Sequence, residues 1–530
     1  MTTPADYSLP HDTWRPFQLE MIEKLLAKPD GSVTLLQAPV GSGKTSFSKA
    51  MGKSEKGVTS LVKTKLLQQS NYLESYNFSV LMGRSNYACP HPDQLDEYPT
   101  AANCLFESDM QECDMAEECP FLIARRAVFV SKTRSLNYSL FLSSRLWRLP
   151  KNATTYLVCD EAHLLADEVC EWVGMTVREP ERIRFGLPEF PTVYQSTREG
   201  VESILKWMEQ SVGVLETRKD AVSGNDASAK AQRSKIERLS SKLTVTCSAV
   251  HTHQQDWYAR SGARALDGTR PGVTVKPLTA RYHFSKMFLG VYPRTVLMSA
   301  TIGRPELFAE ELGIENYHFE SVPNQYGPER RPVLVPACPV MGYKSTDAQK
   351  VEQAVIIARL INECPDDWEG VIHSTSWAQA RDLQFRLGKA GVARDRLFVP
   401  EQGGGTNKQM DQWVHAKGKS KGRLIITPSM AEGVDLTQER INICAKVPFP
   451  SISPGSYDYE RMLYSNTQYK WRTSCGLEQR MGRTRRGNES DYDTKWEKRG
   501  LVAIVDGAFK KQGIKRYCGD GFVESLVFQD

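Results

Sequence analysis

The sequence predicts an α/β chain of two domains, each a parallel sheet wrapped by helices, and three observations lead there. Length is the first: 530 residues are too many for one hydrophobic core. Rhythm is the second. Short apolar, β-branched runs alternate with helical patterns in two blocks, at residues 32–38, 58–64, 126–131, 154–160 and 294–300, then at 332–338, 370–376, 423–428, 441–447 and 501–506. The third is a proline-rich connector at residues 323–336, which separates the blocks. Two such sheets facing one another enclose a cleft that can open and close.

The first block opens on a strand run, Ser32 to Gln37, followed by Ala38-Pro-Val-Gly-Ser-Gly-Lys-Thr45 and a helical pattern. A loop in that position surrounds phosphates with backbone N–H groups and a helix N-terminus. Gly41, Ser42 and Gly43 would line it, Lys44 would reach the β and γ oxygens, and Thr45 would ligate Mg²⁺. The usual pattern has Gly where Ala38 stands, but the tight turn relies mainly on Gly41 and Gly43. After the strand run Thr155 to Cys159 comes Asp160-Glu-Ala-His163. Carboxylates there sit at the end of a parallel strand beside the phosphate loop, with Asp160 on Mg²⁺ and Glu161 orienting and deprotonating the attacking water.

Between these motifs lie Cys89, Cys104, Cys113 and Cys119, separated by fourteen, eight and five residues. Without a Cys-x-x-Cys step they do not read as a zinc ribbon, and without a secretory signal they do not read as disulfides. A four-thiolate iron–sulfur cluster tolerates such irregular spacing, and zinc or unliganded thiols are the alternatives. The other eight cysteines are scattered and read as core or surface thiols.

Residues 166–282 break the alternation. Helical periodicity at Ile204-Leu205-Met208-Val212 and Ile236-Leu239-Leu243 flanks a polar turn around Ala221 to Arg233, which predicts a helical insertion. Lys219, Lys230, Arg233, Lys235 and Arg238 would line a strand channel or form a solvated face. In the second block, Glu432-Gly-Val-Asp435 follows a strand run, and Asp435 could face the nucleotide cleft. Gln479 to Arg486 carries Arg480, Arg483, Arg485 and Arg486, a density of charge that asks for anions nearby. Opposite the phosphate loop, Arg483 and Arg486 would act as arginine fingers.

With these motifs in order, the chain resembles the iron–sulfur superfamily 2 DNA helicases of the XPD/DinG type. Further matching stretches are Arg15-Pro-Phe-Gln18, Lys63-Thr64-Lys-Leu-Leu-Gln-Gln69, Gly83-Arg-Ser-Asn-Tyr-Ala-Cys89, Asn137-Tyr138, Met298-Ser-Ala-Thr301 and Ser374-Thr-Ser376. The resemblance implies two RecA-like motor domains. The first is assembled from residues 1–83, 126–165 and 283–328, interrupted by a cluster insertion at 84–125 and a helical arch at 166–282; residues 329–530 form the second. It implies ATP, Mg²⁺ and a [4Fe–4S] cluster on the four cysteines, with Arg15 and Gln18 at the nucleotide and Gln479 closing from the second domain. Thr301 would transmit the nucleotide state, and tracking would run from 5′ to 3′ on single-stranded DNA from a tailed or forked duplex. Thr64, Arg84, Asn137, Tyr138, Thr375 and Trp377 are the expected strand contacts, the hydroxyls on phosphate and the rings of Tyr138 and Trp377 stacking on bases.

Composition limits this picture. Lys plus Arg is 68 and Asp plus Glu 63, so nucleic acid must be held in a local groove instead of on a general basic surface. Nine acidic residues and no Lys or Arg lie between Cys89 and Cys119, so phosphate contact falls to the edges of that insertion, Arg84, Arg125 and Arg126. There is no run of eighteen apolar residues and the first residues are polar, so a monomer in the cytoplasm or nucleus is expected, with neither membrane span nor signal peptide. Two rivals stay open: a translocase that strips proteins or RNA from DNA and unwinds poorly, and a module in which ATP only switches DNA affinity. The residues identify no loading partner.

Overall fold

The computed structural model describes residues 2–39, 41–91, 100–104, 113–143, 154–224, 227–261, 272–324, 327–402, 412, 422–429, 440–482 and 500–529. The first half of the chain supplies β1 (Val33–Gln37), β2 (Val58–Val62), β3 (Ser79–Leu81), β4 (Thr133–Asn137) and β5 (Tyr156–Asp160). Then come β6 (Met175–Arg178), β7 (Trp257–Ser261), β8 (Gly272–Pro277), β9 (Arg294–Ser299) and β10 (His318–Ser321). The rest are β11 (Val333–Val335), β12 (Gly370–His373), β13 (Leu397–Phe398), β14 (Leu424–Thr427), β15 (Ile441–Cys444), β16 (Leu501–Ile504) and β17 (Leu526–Phe528).

Two seven-stranded sheets result, ordered β10-β1-β9-β5-β2-β4-β3 and β13-β14-β12-β15-β16-β11-β17. Every pairing in both is parallel. Parallel strands need crossovers, which leaves helices on both faces and explains the near-continuous apolar runs. Alternate residues serve opposite faces: Leu35, Leu61, Leu157 and Leu297 join one core, Leu36, Val62, Val158 and Met298 the other. Each such side chain, fully buried, contributes about 1.5–3 kcal/mol. In the second sheet Ile372, Ile426 and Ile443 face one core, and Cys444, Val502 and Ile504 the other.

The strand expected at 126–131 is instead the end of a helix, Pro120–Val130. Pro120 opens it and Phe121, Leu122 and Val128 are its buried residues. The neighbouring strand is β4, Thr-Arg-Ser-Leu-Asn, whose polar letters hide a buried position; its Arg134 is 4% exposed. Short edge strands β3, β10, β13 and β17 were also absent from the sequence pattern. Residues 166–282, expected to be helical, include two long helices, Arg198–Ala221 and Ala227–Thr252, but also the antiparallel sheet β6-β8-β7, so this stretch is not purely helical. Arg233 donates to the Val222 and Gly224 carbonyls of its turn and Lys219 pairs with Glu237 at 3.1 Å, so both cations are engaged within the hairpin. No helix among the described residues is long and apolar enough to cross a membrane.

Candidate functional site

At the end of β1 the backbone passes through Gly41 and Gly43, with φ of +88° and +87°, before the helix Lys44–Met51 begins. Both angles favour glycine. A Cβ on Gly43 would also stand 2.5 Å from Gln18 Nε2. Arg15 and Gln18, far upstream in sequence, brace this loop. The Arg15 guanidinium donates to the Gly41 carbonyl, and Gln18 Oε1 accepts from the Arg15 amide at 3.2 Å. Buried Gln18 Nε2 and Ser42 Oγ make no hydrogen bond among the described residues. Ala38, fully buried, packs into the core and its amide donates to the Ser299 carbonyl at 2.8 Å.

The acidic pair stands at the end of β5. Asp160 is 2% exposed; its Oδ2 accepts from Tyr72 Oη at 3.0 Å and its Oδ1 from the Glu161 amide at 2.9 Å. Burial and the Glu161 charge push its carboxyl up to about 6, against the opposing pull of Lys44 and its two hydrogen bonds. Glu161 adopts φ of +51°, a left-handed conformation that costs a non-glycine residue about 1 kcal/mol and turns the chain sharply after the strand. Its Oε1 lies 3.9 Å from Lys44 Nζ.

The second domain reaches this point through the helix Asn466–Met481. Gln479 Nε2 donates to Thr301 Oγ1 at 2.8 Å and lies 3.4 Å from both Glu161 Oε2 and His163 Nδ1. Beyond it the same helix is fixed by Trp471 Nε1 donating to the Ile302 carbonyl at 3.0 Å and by Arg472 on Glu311 at 3.1 Å. Arg461, from the helix Tyr457–Tyr464, completes the seam on Asp167 at 2.6 Å and Glu311 at 3.0 Å. Lys44, Asp160, Glu161 and Gln479 thus gather around one cleft, with Thr45 following Lys44 in its helix, while Asp435, Arg483 and Arg486 lie outside the described residues.

Cys89, Cys104, Cys113 and Cys119 line one small cavity together with Pro90, Ala101 and Met115. Cys119 sits at the start of the helix Pro120–Val130, which ties one donor to regular structure. Among the described residues, no group of three Cys, His, Asp or Glu side chains could hold a metal ion.

Thr64, Arg84 and Asn137 follow or end three adjacent strands, β2, β3 and β4. Thr64 Oγ1 and Asn137 Oδ1 accept from the Leu67 and Leu140 amides at 3.2 and 2.7 Å, and the Arg84 guanidinium lies 5.7 Å from the centre of the Phe121 ring. Arg126, expected on phosphate, is paired with Glu117 through both terminal nitrogens. Tyr138 departs from expectation. Its ring is 1% exposed and its hydroxyl donates to the Asp160 carbonyl at 2.7 Å, so it braces the acidic motif from within the core and offers no face to a base. On the second sheet, Thr375 donates to Gln379 Oε1 at 3.1 Å and half-buried Trp377 begins the helix Trp377–Lys389. Sequence reasoning missed Tyr72, which carries no local motif, and gave no role to His163, whose Nδ1 lies 2.9 Å from Ser299 Oγ.

No sequence-family profile matches the chain, and no curated protein matches its sequence. In three dimensions it is similar to a solved XPD helicase, with a TM-score of 0.62 and 14% identity over 98% of this chain and 99% of that one. A structure of apo XPD gives a TM-score of 0.57 and 14% identity over 97% of this chain and 100% of that one. The likeness extends across the whole chain, and it establishes a fold of two parallel seven-stranded sheets consistent with paired RecA-like domains.

Proposed function

We propose that this chain is an ATP-dependent motor on single-stranded DNA, a helicase of the XPD/DinG type moving from 5′ to 3′. The observation that carries the reading is the contact of Gln479 with Thr301 and Glu161, which joins the second domain to the acidic motif beside the phosphate loop. Unsatisfied Gln18 Nε2 and Ser42 Oγ fit a polar ligand such as a nucleotide. In this reading Lys44 binds the β and γ oxygens, Thr45 and Asp160 hold Mg²⁺, Glu161 deprotonates the attacking water, and Arg483 and Arg486 close on the γ-phosphate. Gln479 and Thr301 report the nucleotide state across the cleft, and Asp435 faces it from the second domain. Thr64, Arg84, Asn137, Thr375 and Trp377 are the strand contacts we propose.

No three of these thiols are placed to share a single metal ion, but four of them around one cavity with apolar neighbours support a larger thiolate-bound cluster, in which each iron takes one thiolate. A [4Fe–4S] cluster bound there would supply a rigid crosslink to the insertion at 84–125. We propose that residues 1–83, 126–165 and 283–328 form the first motor domain, 166–282 the arch and 329–530 the second motor domain. A translocase that remodels nucleoprotein is the second reading, favoured by an arch whose two helices form one hairpin with an internally paired tip. Strand displacement by anaerobically purified protein, on matched duplexes with a 5′ or a 3′ tail, tests the choice. Release of the 5′-tailed duplex alone is expected. Failure on both tails with strand-stimulated hydrolysis intact would transfer the assignment to the translocase.

A further inference from the structure

The hydroxyl of Tyr72 is costly where it stands. The side chain is fully buried and Phe78 packs edge-on against its ring at 4.9 Å, so a phenylalanine would fill the volume without desolvating a polar group. Among the described residues its partners are two: Asp160 Oδ2, to which it donates at 3.0 Å, and Ser48 Oγ at 3.5 Å. Ser48 belongs to the helix that follows the phosphate loop. One hydroxyl therefore touches both the carboxylate proposed for Mg²⁺ and the helix behind the phosphates.

The backbone carrying it is also unusual, because Gln68–Ser75 is π-helical. Runs of that geometry are rare and concentrate at functional sites. This one is pinned at both ends. Gln68 Nε2 donates to the Leu81 and Ser135 carbonyls at 3.0 and 2.9 Å, and Tyr76 Oη lies 2.8 Å from Ser46 Oγ. Wider π turns advance each residue by less than the about 100° of an α-helix, so the direction of Tyr72 relative to Gln68 depends on the register. An α register would swing the phenol off Asp160. β2 ends at Val62 beside Asn137, and Thr64, two residues on, caps the single α turn Lys65–Leu67 that leads into the π segment.

We propose that Tyr72 is a positioning residue through which a nucleic-acid strand lying on the Thr64 segment sets the orientation of the Asp160 carboxylate. The inference rests on the reading of the chain as a strand-stimulated ATPase. Tyr72 meets neither nucleotide nor strand; it acts through Asp160, and the π-helical register is the element that a strand would load.

The test is steady-state ATP turnover of the full chain and of Tyr72→Phe, with and without saturating single-stranded oligothymidylate, whose binding is followed by fluorescence anisotropy. The ratio of stimulated to unstimulated turnover should fall about fivefold or more through kcat, with the ATP KM and the strand Kd within about twofold of the parent. Tyr76→Phe loosens the far end of the π segment without touching Asp160; it should lower the same ratio more mildly, and it carries the test should Tyr72→Phe not fold. Undiminished stimulation in the variants, beside a stimulated parent, would overturn the proposal and leave the motor reading intact. A parent without strand-stimulated turnover would overturn both.

Discussion

Gln479, on the second sheet's domain, donates its side-chain amide to Thr301 Oγ1 on the first at 2.8 Å, while the same nitrogen stands 3.4 Å from Glu161 Oε2. A sidechain amide bridging a hydroxyl and a carboxylate across a domain boundary links the separation of the domains to the placement of Glu161. Gln479→Ala and Thr301→Val should each slow ATP turnover about tenfold, equivalent to about 1.4 kcal/mol of barrier. Because Thr301→Val breaks one of the contacts that Gln479→Ala removes, the double variant should be no slower than Gln479→Ala alone. Additive losses in steady-state kinetics would show that the residues work separately.

The seam beside that contact is a buried ion cluster. Glu311 is 3% exposed and is shared by Arg461 and Arg472 at 3.0 and 3.1 Å. Removing the anion leaves two guanidinium groups without their shared partner, a change that costs about 3–5 kcal/mol in buried pairs. Glu311→Ala should therefore lower Tm by several degrees and expose the chain between the domains to protease, whereas Arg198→Ala, at an exposed pair on the arch, should do neither. Equal melting of parent and Glu311→Ala would refute a structural role for the seam.

Stability should decline with acid through His283. Burial, helped by Lys286 and His253, pushes its imidazole down from 6.5 to about 4, and the Trp257 ring packs edge-on against it at 5.8 Å. Between those values the unfolded chain takes up a proton that the folded chain refuses. The contribution is thus complete above pH 6.5 and is lost as pH falls toward 4, at most about 3 kcal/mol. Melting curves from pH 7.5 to pH 5 should show a shallower decline for His283→Leu than for the parent; parallel slopes would assign the acid sensitivity elsewhere.

The cysteine cavity predicts composition. Protein purified without oxygen should contain iron and acid-labile sulfide in equal amounts, and Cys104→Ser or Cys113→Ser should lose both together with protease resistance of the 84–125 insertion. Zinc in place of iron would contradict the cluster.

How much was legible in the sequence depended on which signal each residue obeyed. Gly41, Gly43 and Lys44 were readable because a strand, a left-handed turn and a helix start follow one another without interruption. Most central strands were readable for a similar reason, since burial on both faces leaves them apolar throughout. β4 was not, because Arg134 and two serine or threonine side chains occupy its buried face and ends, while the apolar run just before it belongs to a helix. Tyr138 illustrates the other limit. Its identity allowed stacking on a base, but only tertiary packing reveals the Asp160 carbonyl that claims its hydroxyl. Tyr72 had no signal, because its contact with Asp160 spans 88 residues and depends on a π-helical register.

The most direct measurement is multiple-turnover ATP hydrolysis by the parent chain and by Lys44→Ala, each with and without single-stranded DNA. Hydrolysis by the parent that rises with the strand, and its loss in Lys44→Ala with iron content unchanged, is the result expected of a motor whose phosphate loop carries Lys44 beside Glu161. Undiminished hydrolysis in Lys44→Ala, or a parent that binds ATP and turns over no faster with DNA, would contradict it.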